Sequence, residues 1–402
     1  MKLLFQLFFI ATLVVGCTAQ RVSSPTPIGT SGSPGATSQM TMPAEEARTL
    51  IPPTPRWEDD FLIAYIKYVE DLQYSSGNEL YIIDSRGDHQ INVFDGLSGI
   101  RAWGFSWSPS GEWLLFGEYD RISDQLETHD EHLHFNLWAV RSNGIQRNKL
   151  MSRAALSSIS WAKHQDLFLI HCAFSQGDSE ICLVNPENGE ITKTGNIGTN
   201  AQFSLDGSKY AFIRNQKEVF VANTSDHKPD LLFSAAGDIP GFSWTQDQAS
   251  IITAVENQPG CEDRKNGSTT ILEIVLSTKE LKALREVKWS LSRFNFDLAP
   301  GEDYLLSSWY LCGEDAGLLY GVVGLRTDHI TWPLPNYANY EWTNDGKFLI
   351  QEQWGNGHRY FLDPLTGQLV GSFEPPFLES LLTAEDRKQN VNIFWSIQPT
   401  IK

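Results

Sequence analysis

From residue 57 onward the chain is a succession of short apolar runs, about four to eight residues each, separated by Gly, Pro, Asn and Asp. Such short, broken runs predict β-strands rather than helices. Gly104-Phe105-Ser106-Trp107-Ser108-Pro109-Ser110-Gly111-Glu112-Trp113-Leu114-Leu115-Phe116 shows the pattern at its clearest: an aromatic strand, a tight polar turn, and a continuously apolar strand. Weaker copies follow. Ser158-Ile159-Ser160-Trp161 precedes Leu167–Ile170, Ala201–Gly207 precedes Tyr210–Phe212, and Gly241–Trp244 precedes Ser250–Ile252. Phe294–Phe296 precedes Tyr304–Leu306, and Tyr340–Gly346 precedes Phe348–Ile350. Taking Trp107, Trp161, Phe203, Trp244, Phe296 and Trp342 as anchors, the spacings are 54, 42, 41, 52 and 46 residues.

Each unit carries the same internal logic. Asp-Gly or Ser-Gly turns suit hairpins, because Gly and Asp tolerate positive φ. The second strand is the most continuously apolar, as expected of a strand covered on both faces. A third strand follows, for example Leu137–Val140, Ile181–Val184 or Tyr360–Leu362, and then another turn and a more polar fourth strand. Four antiparallel strands repeating at this period predict an all-β chain and the blades of a β-propeller. Only Pro376–Gln389 offers helical periodicity. Before the first anchor, Phe61–Tyr68, Glu79–Ser85 and Gln90–Phe94 supply second, third and fourth strands, while Val391–Ser396 repeats the first-strand signature after the last unit. Pairing the two ends gives seven four-stranded blades in a ring without exposed edges. Six blades, with Arg56-Trp57 opening the first and the C-terminal segment as decoration, is the alternative.

The aromatic–Ser–Pro–Ser/Asp–Gly–x–x–apolar pattern resembles the WD40-like repeats of TolB-type propellers over about residues 57–397. Two turns, Ala162–Gln165 and Thr245–Gln248, lack the Gly. The resemblance implies a propeller and a binding scaffold; it names no ligand.

The N-terminus adds an address. Met1-Lys2 precedes a mostly apolar run from Leu3 to Gly16 that is too short to span a bilayer comfortably. The run ends Val14-Val15-Gly16-Cys17, which resembles the lipobox of bacterial lipoproteins. That resemblance implies a signal peptide at residues 1–16, removal of which leaves Cys17 lipidated and places the protein on the extracytoplasmic side of a membrane. Residues 17–55 then form a disordered tether: Ser, Thr, Pro and Gly supply 22 of the 38 positions after Cys17, with no aromatic residue. The propeller domain occupies residues 56–402. With 31 Lys and Arg against 49 Asp and Glu, the net charge of −18 argues against nucleic acid as a partner.

Candidate chemistry is sparse. Beyond Cys17, four cysteines remain in an exported chain, which suggests disulfides. Cys172 and Cys182 sit on two strands of one hairpin, and Cys261 and Cys312 fall in equivalent loops of adjacent units. Four free thiols is the competing reading. His129, His132 and His134, with Asp130, form a metal-like cluster suited to zinc, against the alternative of a solvated acidic loop over Glu118–His134; no metal and no cofactor is assigned. The long loops Glu70–Asn78, Glu118–Leu133 and Asn257–Ser268 share one face and mark it as a binding surface. No nucleophile elbow, Walker loop or His-Glu-x-x-His occurs. The expectation is therefore a non-catalytic scaffold for a protein or peptide partner. The alternative is an enzyme acting on glycans or peptides through carboxylates in a central funnel, and convergence of charged side chains at the axis would separate the two.

Overall fold

The computed structural model describes residues 61–70, 75–101, 105–119, 135–154, 159–172, 179–258, 268–288, 296–311, 317–334, 338–343, 345–353, 359–373, 377–384, 386 and 391–397. Its strands are, in chain order, β1 (Leu62–Glu70), β2 (Ser75–Asp84), β3 (Ile91–Arg101), β4 (Ser106–Trp107), β5 (Trp113–Tyr119), β6 (Phe135–Arg141) and β7 (Arg147–Ala154). Then come β8 (Ser160–Trp161), β9 (Phe168–His171), β10 (Ser179–Val184), β11 (Ile191–Phe203), β12 (Lys209–Arg214), β13 (Glu218–Asn223) and β14 (Pro229–Ser234). The remainder are β15 (Phe242–Trp244), β16 (Ser250–Gln258), β17 (Ser268–Val275), β18 (Leu281–Val287), β19 (Phe296–Leu298), β20 (Tyr304–Leu311), β21 (Gly317–Gly324) and β22 (Ile330–Leu334). The chain ends with β23 (Ala338–Trp342), β24 (Leu349–Gln353), β25 (Arg359–Leu362), β26 (Leu369–Phe373) and β27 (Val391–Ile397). Within the helical pattern over Pro376–Gln389 the described residues include a 3-10 turn at Leu378–Leu381 and α-helical positions at Ala384 and Asp386; residues 376, 385 and 387–389 lie outside the described residues.

All pairings are antiparallel. The strands β15–β18, β19–β22 and β23–β26 form three separate four-stranded sheets. The other two sheets are composites of the same unit. One runs β27-β1-β2-β3-β5-β6-β7 with β4 on β5, and among the described residues its halves are paired at Ile100↔Glu118. The other runs β14 to β8 because β11 serves two sets, pairing β10 through Gly198 and β12 from Thr199. A glycine is required at that bend, since a Cβ on Gly198 would lie 2.5 Å from the Ile213 carbonyl oxygen. β27 lies beside β1 in continuous register from Ile63↔Ile397 to Val69↔Val391.

The register corrects one anchor. Trp107, Trp161, Phe203, Trp244 and Trp342 pair with Leu114, Phe168, Tyr210, Ile251 and Leu349, and the equivalent pair in the remaining unit is Leu298↔Leu305. Phe296 therefore sits two residues ahead of the true anchor, where Phe242 and Tyr340 stand in their own strands. In β27 the same position is held by Trp395, which pairs with Tyr65. Residues two apart share a face, so both positions of each first strand are apolar and the sequence alone does not say which is which.

The turn after the anchor explains the Ser-x-Ser/Asp signature. The hydroxyl oxygens of Ser108, Ser204, Thr245 and Thr343 accept the backbone N–H five residues on, at 3.1, 3.0, 3.0 and 3.1 Å. Two residues after that Ser or Thr, Asp206, Asp247 and Asp345 accept its hydroxyl proton and a backbone N–H of the same turn. These hydrogen bonds hold all three carboxyls below the ordinary aspartate range, Asp345 at about 2. In five of these turns the fourth residue has positive φ whether or not it is glycine: Gly111, Gly207 and Gly346 are replaced by Gln248 at φ 59° and Glu302 at φ 59°, while Gln165 of the Ala162 turn does not take that conformation. Gly301 is thus not the residue that the Ala299–Glu302 turn needs.

The core is divided among the spaces between successive strand sets rather than gathered in one centre. Trp113, Leu115, Leu137 and Ala139 of β5–β6 meet Phe168, Ile170, Cys182 and Val184 of β9–β10. Leu306, Tyr320 and Val322 of β20–β21 meet Trp342, Leu349 and Leu362 of the next sheet. A second contact repeats at the outer strands, where the turn between third and fourth strands rests on the preceding set. Gly144 packs on Ile91 and Val93. Asn148 donates to the Pro186 carbonyl at 2.7 Å, Asn196 to that of His227 at 2.8 Å, and Lys279 to that of Leu231 at 2.8 Å. Arg285 donates to the His329 carbonyl at 3.1 Å and Thr331 to that of Leu365 at 2.7 Å. In the β27-β1-β2-β3 set the same turn brings Gly87, at φ 82°, against the ring of Phe377, which follows β26.

Candidate functional site

The residue just before each anchor is polar: Ser106, Ser160, Gln202, Ser243, Asp297 and Glu341. It alternates with the apolar pair and so points to the opposite face of its short first strand. Most of these residues stitch neighbouring sets together. Where the next anchor is tryptophan, its indole N–H crosses to them: Trp161 to the Ser106 hydroxyl at 2.8 Å, Trp244 to the Gln202 carbonyl at 3.3 Å, and Trp342 to the Asp297 carbonyl at 3.1 Å. Where the anchor has no indole, the serine accepts a backbone N–H instead, Phe203 N–H to Ser160 at 3.2 Å and Leu298 N–H to Ser243 at 3.3 Å. The side chains of Asp297 and Glu341 are left over.

These two carboxylates occupy equivalent positions in adjacent sheets, β19–β22 and β23–β26. Glu341 is opposite Ile350, so Glu352, two residues further along β24, projects from the same face. Glu352 in turn is paired with Arg359 of β25, whose Nη1 lies 3.8 Å from Glu341 Oε1. Glu341 is exposed, which keeps that ion pair weak. Glu352 is different. Removal from water raises its carboxyl to about 7, the Arg359 charge opposing and the Glu341 charge adding to the rise. Asp297 rises to about 6, first through desolvation and then through Glu341. Asp297 is nevertheless in contact with solvent. Because the Asp297 side chain is exposed, solvent screens that rise more than it does at half-buried Glu352. The group is a cluster of three carboxyls and one guanidinium, with two of the acids poised to hold or release a proton near neutral pH. The sequence carried a signal for it, in that only Phe296-Asp297-Leu298 and Tyr340-Glu341-Trp342 place a formal charge at the centre of the aromatic strand. Glu352 and Arg359 carried none, since their proximity depends on strand register.

Cys172 and Cys182 are joined by a disulfide, with Cα atoms 5.6 Å apart. Cys172 N–H bonds the Glu180 carbonyl and Cys182 is opposite Ile170, so the bridge runs diagonally across the β9–β10 hairpin. Cys17, Cys261, Cys312, His129, His132 and His134 lie outside the described residues, as do most of the loops expected to form a binding face. The first of those loops is shorter than expected, because β1 continues to Glu70 and β2 begins at Ser75. Among the described residues no three His, Cys, Asp or Glu side chains converge to hold a metal ion, and no helix is long and apolar enough to cross a membrane.

No protein-family model matches the chain, and no curated protein matches it. Solved structures do. TolB from Acinetobacter baumannii aligns at 14% identity with a TM-score of 0.38, covering 66% of this chain and 61% of that one. An oligogalacturonate lyase solved in complex with manganese aligns at 11% identity and TM-score 0.46 over 74% of this chain and 88% of its own. Hydrazine synthase from Kuenenia stuttgartiensis aligns at 11% identity and TM-score 0.45 over 65% and 76%.

Proposed function

We propose that this protein is a propeller of seven four-stranded blades, closed by β27 on β1, and that it acts as a non-catalytic scaffold for a protein or peptide partner. In this reading Cys17 carries a lipid and residues 18–55 are a tether that holds the propeller outside the cytoplasmic face of a membrane. The observation that carries the scaffold reading is the use of the first-strand polar residues. The hydroxyls of Ser106, Ser160 and Ser243 are committed to hydrogen bonds between neighbouring blades, and the backbone carbonyls of Gln202 and Asp297 are bridged in the same way. Such a frame is rigid where an enzyme would place its reacting groups, and it leaves loops and the exposed Asp297 and Glu341 side chains for recognition. The seven-residue register of β27 on β1, and the seat of Gly87 on Phe377, support closure.

The raised carboxyls of Asp297 and Glu352 favour a second reading, an enzyme using one of them as a general acid on a glycan or peptide. One experiment separates the two. A photo-crosslinking residue at exposed Glu341, activated in native membranes, captures a discrete protein or peptide adduct if the scaffold reading holds. Absence of any adduct, together with glycan or peptide turnover that Glu352→Gln abolishes, refutes it in favour of the enzyme.

A further inference from the structure

The fourth strand of each set is its outer edge, and an edge presents backbone donors and acceptors on which another chain can add a strand. Each of these strands, β3, β7, β11, β14, β18, β22 and β26, is bulged against its third strand, which twists the edge away from such pairing. Six of them carry a second guard, a formal charge or a proline: Asp95 in β3, Lys149 in β7, Lys193 in β11, Asp230 in β14, Lys282 in β18 and Pro333 in β22. The seventh, β26, reads Leu369-Val370-Gly371-Ser372-Phe373 and has neither.

Apolar exposure gathers at the same strand. Leu369 is 60% exposed, Val370 53%, and Leu365 in the preceding turn 43%. The bulge accounts for part of this, because Val370 is the extra residue between the pairs Phe361↔Gly371 and Leu362↔Leu369. A Cβ on Gly371 would meet nothing closer than the Phe361 ring at 3.8 Å, so the sheet itself does not ask for glycine there. A glycine within a strand suits close approach by another backbone. Among the described residues β26 is the end of its sheet and pairs with β25 alone. Charge decides what the edge is for. Antiparallel pairing of a strand with its own copy sets like charge against like, so the guards on the other edges act first against self-association. β26 is the outer edge that meets its own copy without charge or proline, on a chain whose net charge of −18 makes copies repel elsewhere.

We propose that β26 pairs with β26 of a second copy of this chain, antiparallel about a two-fold axis at Gly371, so that two four-stranded sheets join into one of eight strands. In that register the glycines of the two copies face each other, Val370 of each lies opposite Ser372 of the other, and Leu369 lies opposite Phe373. The contact uses the same strand on both sides and so closes at two copies. A five-residue strand is small beside the roughly 800 Å² per partner of a standard stable interface, which makes the dimer weak and concentration-dependent. Its edge is neutral while both bodies are acidic, so salt strengthens it by screening their repulsion, the opposite of an interface held by ion pairs. This inference goes beyond the scaffold reading and does not depend on it.

The test is sedimentation equilibrium of the full chain over a range of concentrations at low and high sodium chloride. The expected result is a monomer–dimer equilibrium that tightens with salt. Val370→Lys, at an exposed position that tolerates the change, weakens it at least ten-fold, whereas Ile145→Lys, at a position 63% exposed in the turn before β7, leaves it unchanged. A second measurement needs no destabilising variant: a photo-crosslinking residue at position 370, in a mixture of isotopically heavy and light copies, yields heavy–light adducts that map to residues 369–373. A monomer at every concentration and salt overturns the proposal. So does a dimer that Val370→Lys leaves intact, one that salt dissociates, or adducts that map outside β26.

Discussion

Ile393 tests whether the C-terminal strand is part of the fold or an ornament on it. It lies on β27 opposite Lys67, is 8% exposed, and packs with Ile63, Tyr65 and Ile83. Ile393→Ala removes three carbons from that cluster, a change that costs about 2–5 kcal/mol in well-packed cores. Because Phe377, Leu381 and Leu382 on the opposite side are half-buried and free to settle inward, the lower part of that range applies, about 2–3 kcal/mol. The control is Ile251→Ala in β16, a site at 0% exposure, with an expected loss of about 3–5 kcal/mol. Guanidinium titration followed by tryptophan fluorescence reads both, with the slope checked for constancy so that midpoint shifts report stability. If the ends are joined into one cooperative body, each substitution lowers the whole transition. A loss of under about 0.5 kcal/mol from Ile393→Ala, beside a full loss from Ile251→Ala, would refute the reasoning and make β27 peripheral.

Other expectations follow from single contacts. Trp342→Phe deletes the indole bond to the Asp297 carbonyl while keeping most of the ring, at a cost of about 1–2 kcal/mol in the same titration; an unchanged midpoint would mean the bonds between sheets are incidental. Asp297 and Glu352 have folded-state carboxyls raised to about 6 and about 7, so their contribution to stability is complete below the unfolded-state carboxyl range, near pH 4, and is lost as pH rises through 6 to 7. Glu352→Gln should therefore flatten the decline in melting temperature between pH 4 and 8; an unaltered slope contradicts the assigned desolvation. Cys17→Ser should release the protein from membranes into a soluble fraction, and retention of the variant with its signal removed argues against the lipid. A non-reduced digest analysed by mass spectrometry should contain Cys261 joined to Cys312 beside the Cys172–Cys182 peptide, and alkylation of the first two as free thiols would end that assignment.

Much of the architecture was legible along the chain because it depends on local chemistry. A strand of period two, a turn that needs a left-handed residue, and an apolar second strand are each decided by neighbours in sequence, so Phe203–Gly207 and Trp342–Gly346 announce themselves. The Ser/Thr-x-Asp turn is of this kind: Thr245 and Asp247 hold it closed although Gln248 has no glycine's freedom. Register was not legible. Phe296 and Leu298 are both apolar and face the same way, and only pairing with Leu305 shows which takes the anchor position. The candidate site failed to show for the same reason. Asp297, Glu341, Glu352 and Arg359 are spread over 63 positions of chain, and they meet because two sheets stack and one hairpin sets Glu352 against Arg359. Their proton affinities arise from the water those sheets exclude, which no run of residues encodes. The seat of Phe377 is tertiary as well: nothing near residue 377 specifies Gly87 or Ile63, and the segment finds them only because β1 and β2 lie beside β27.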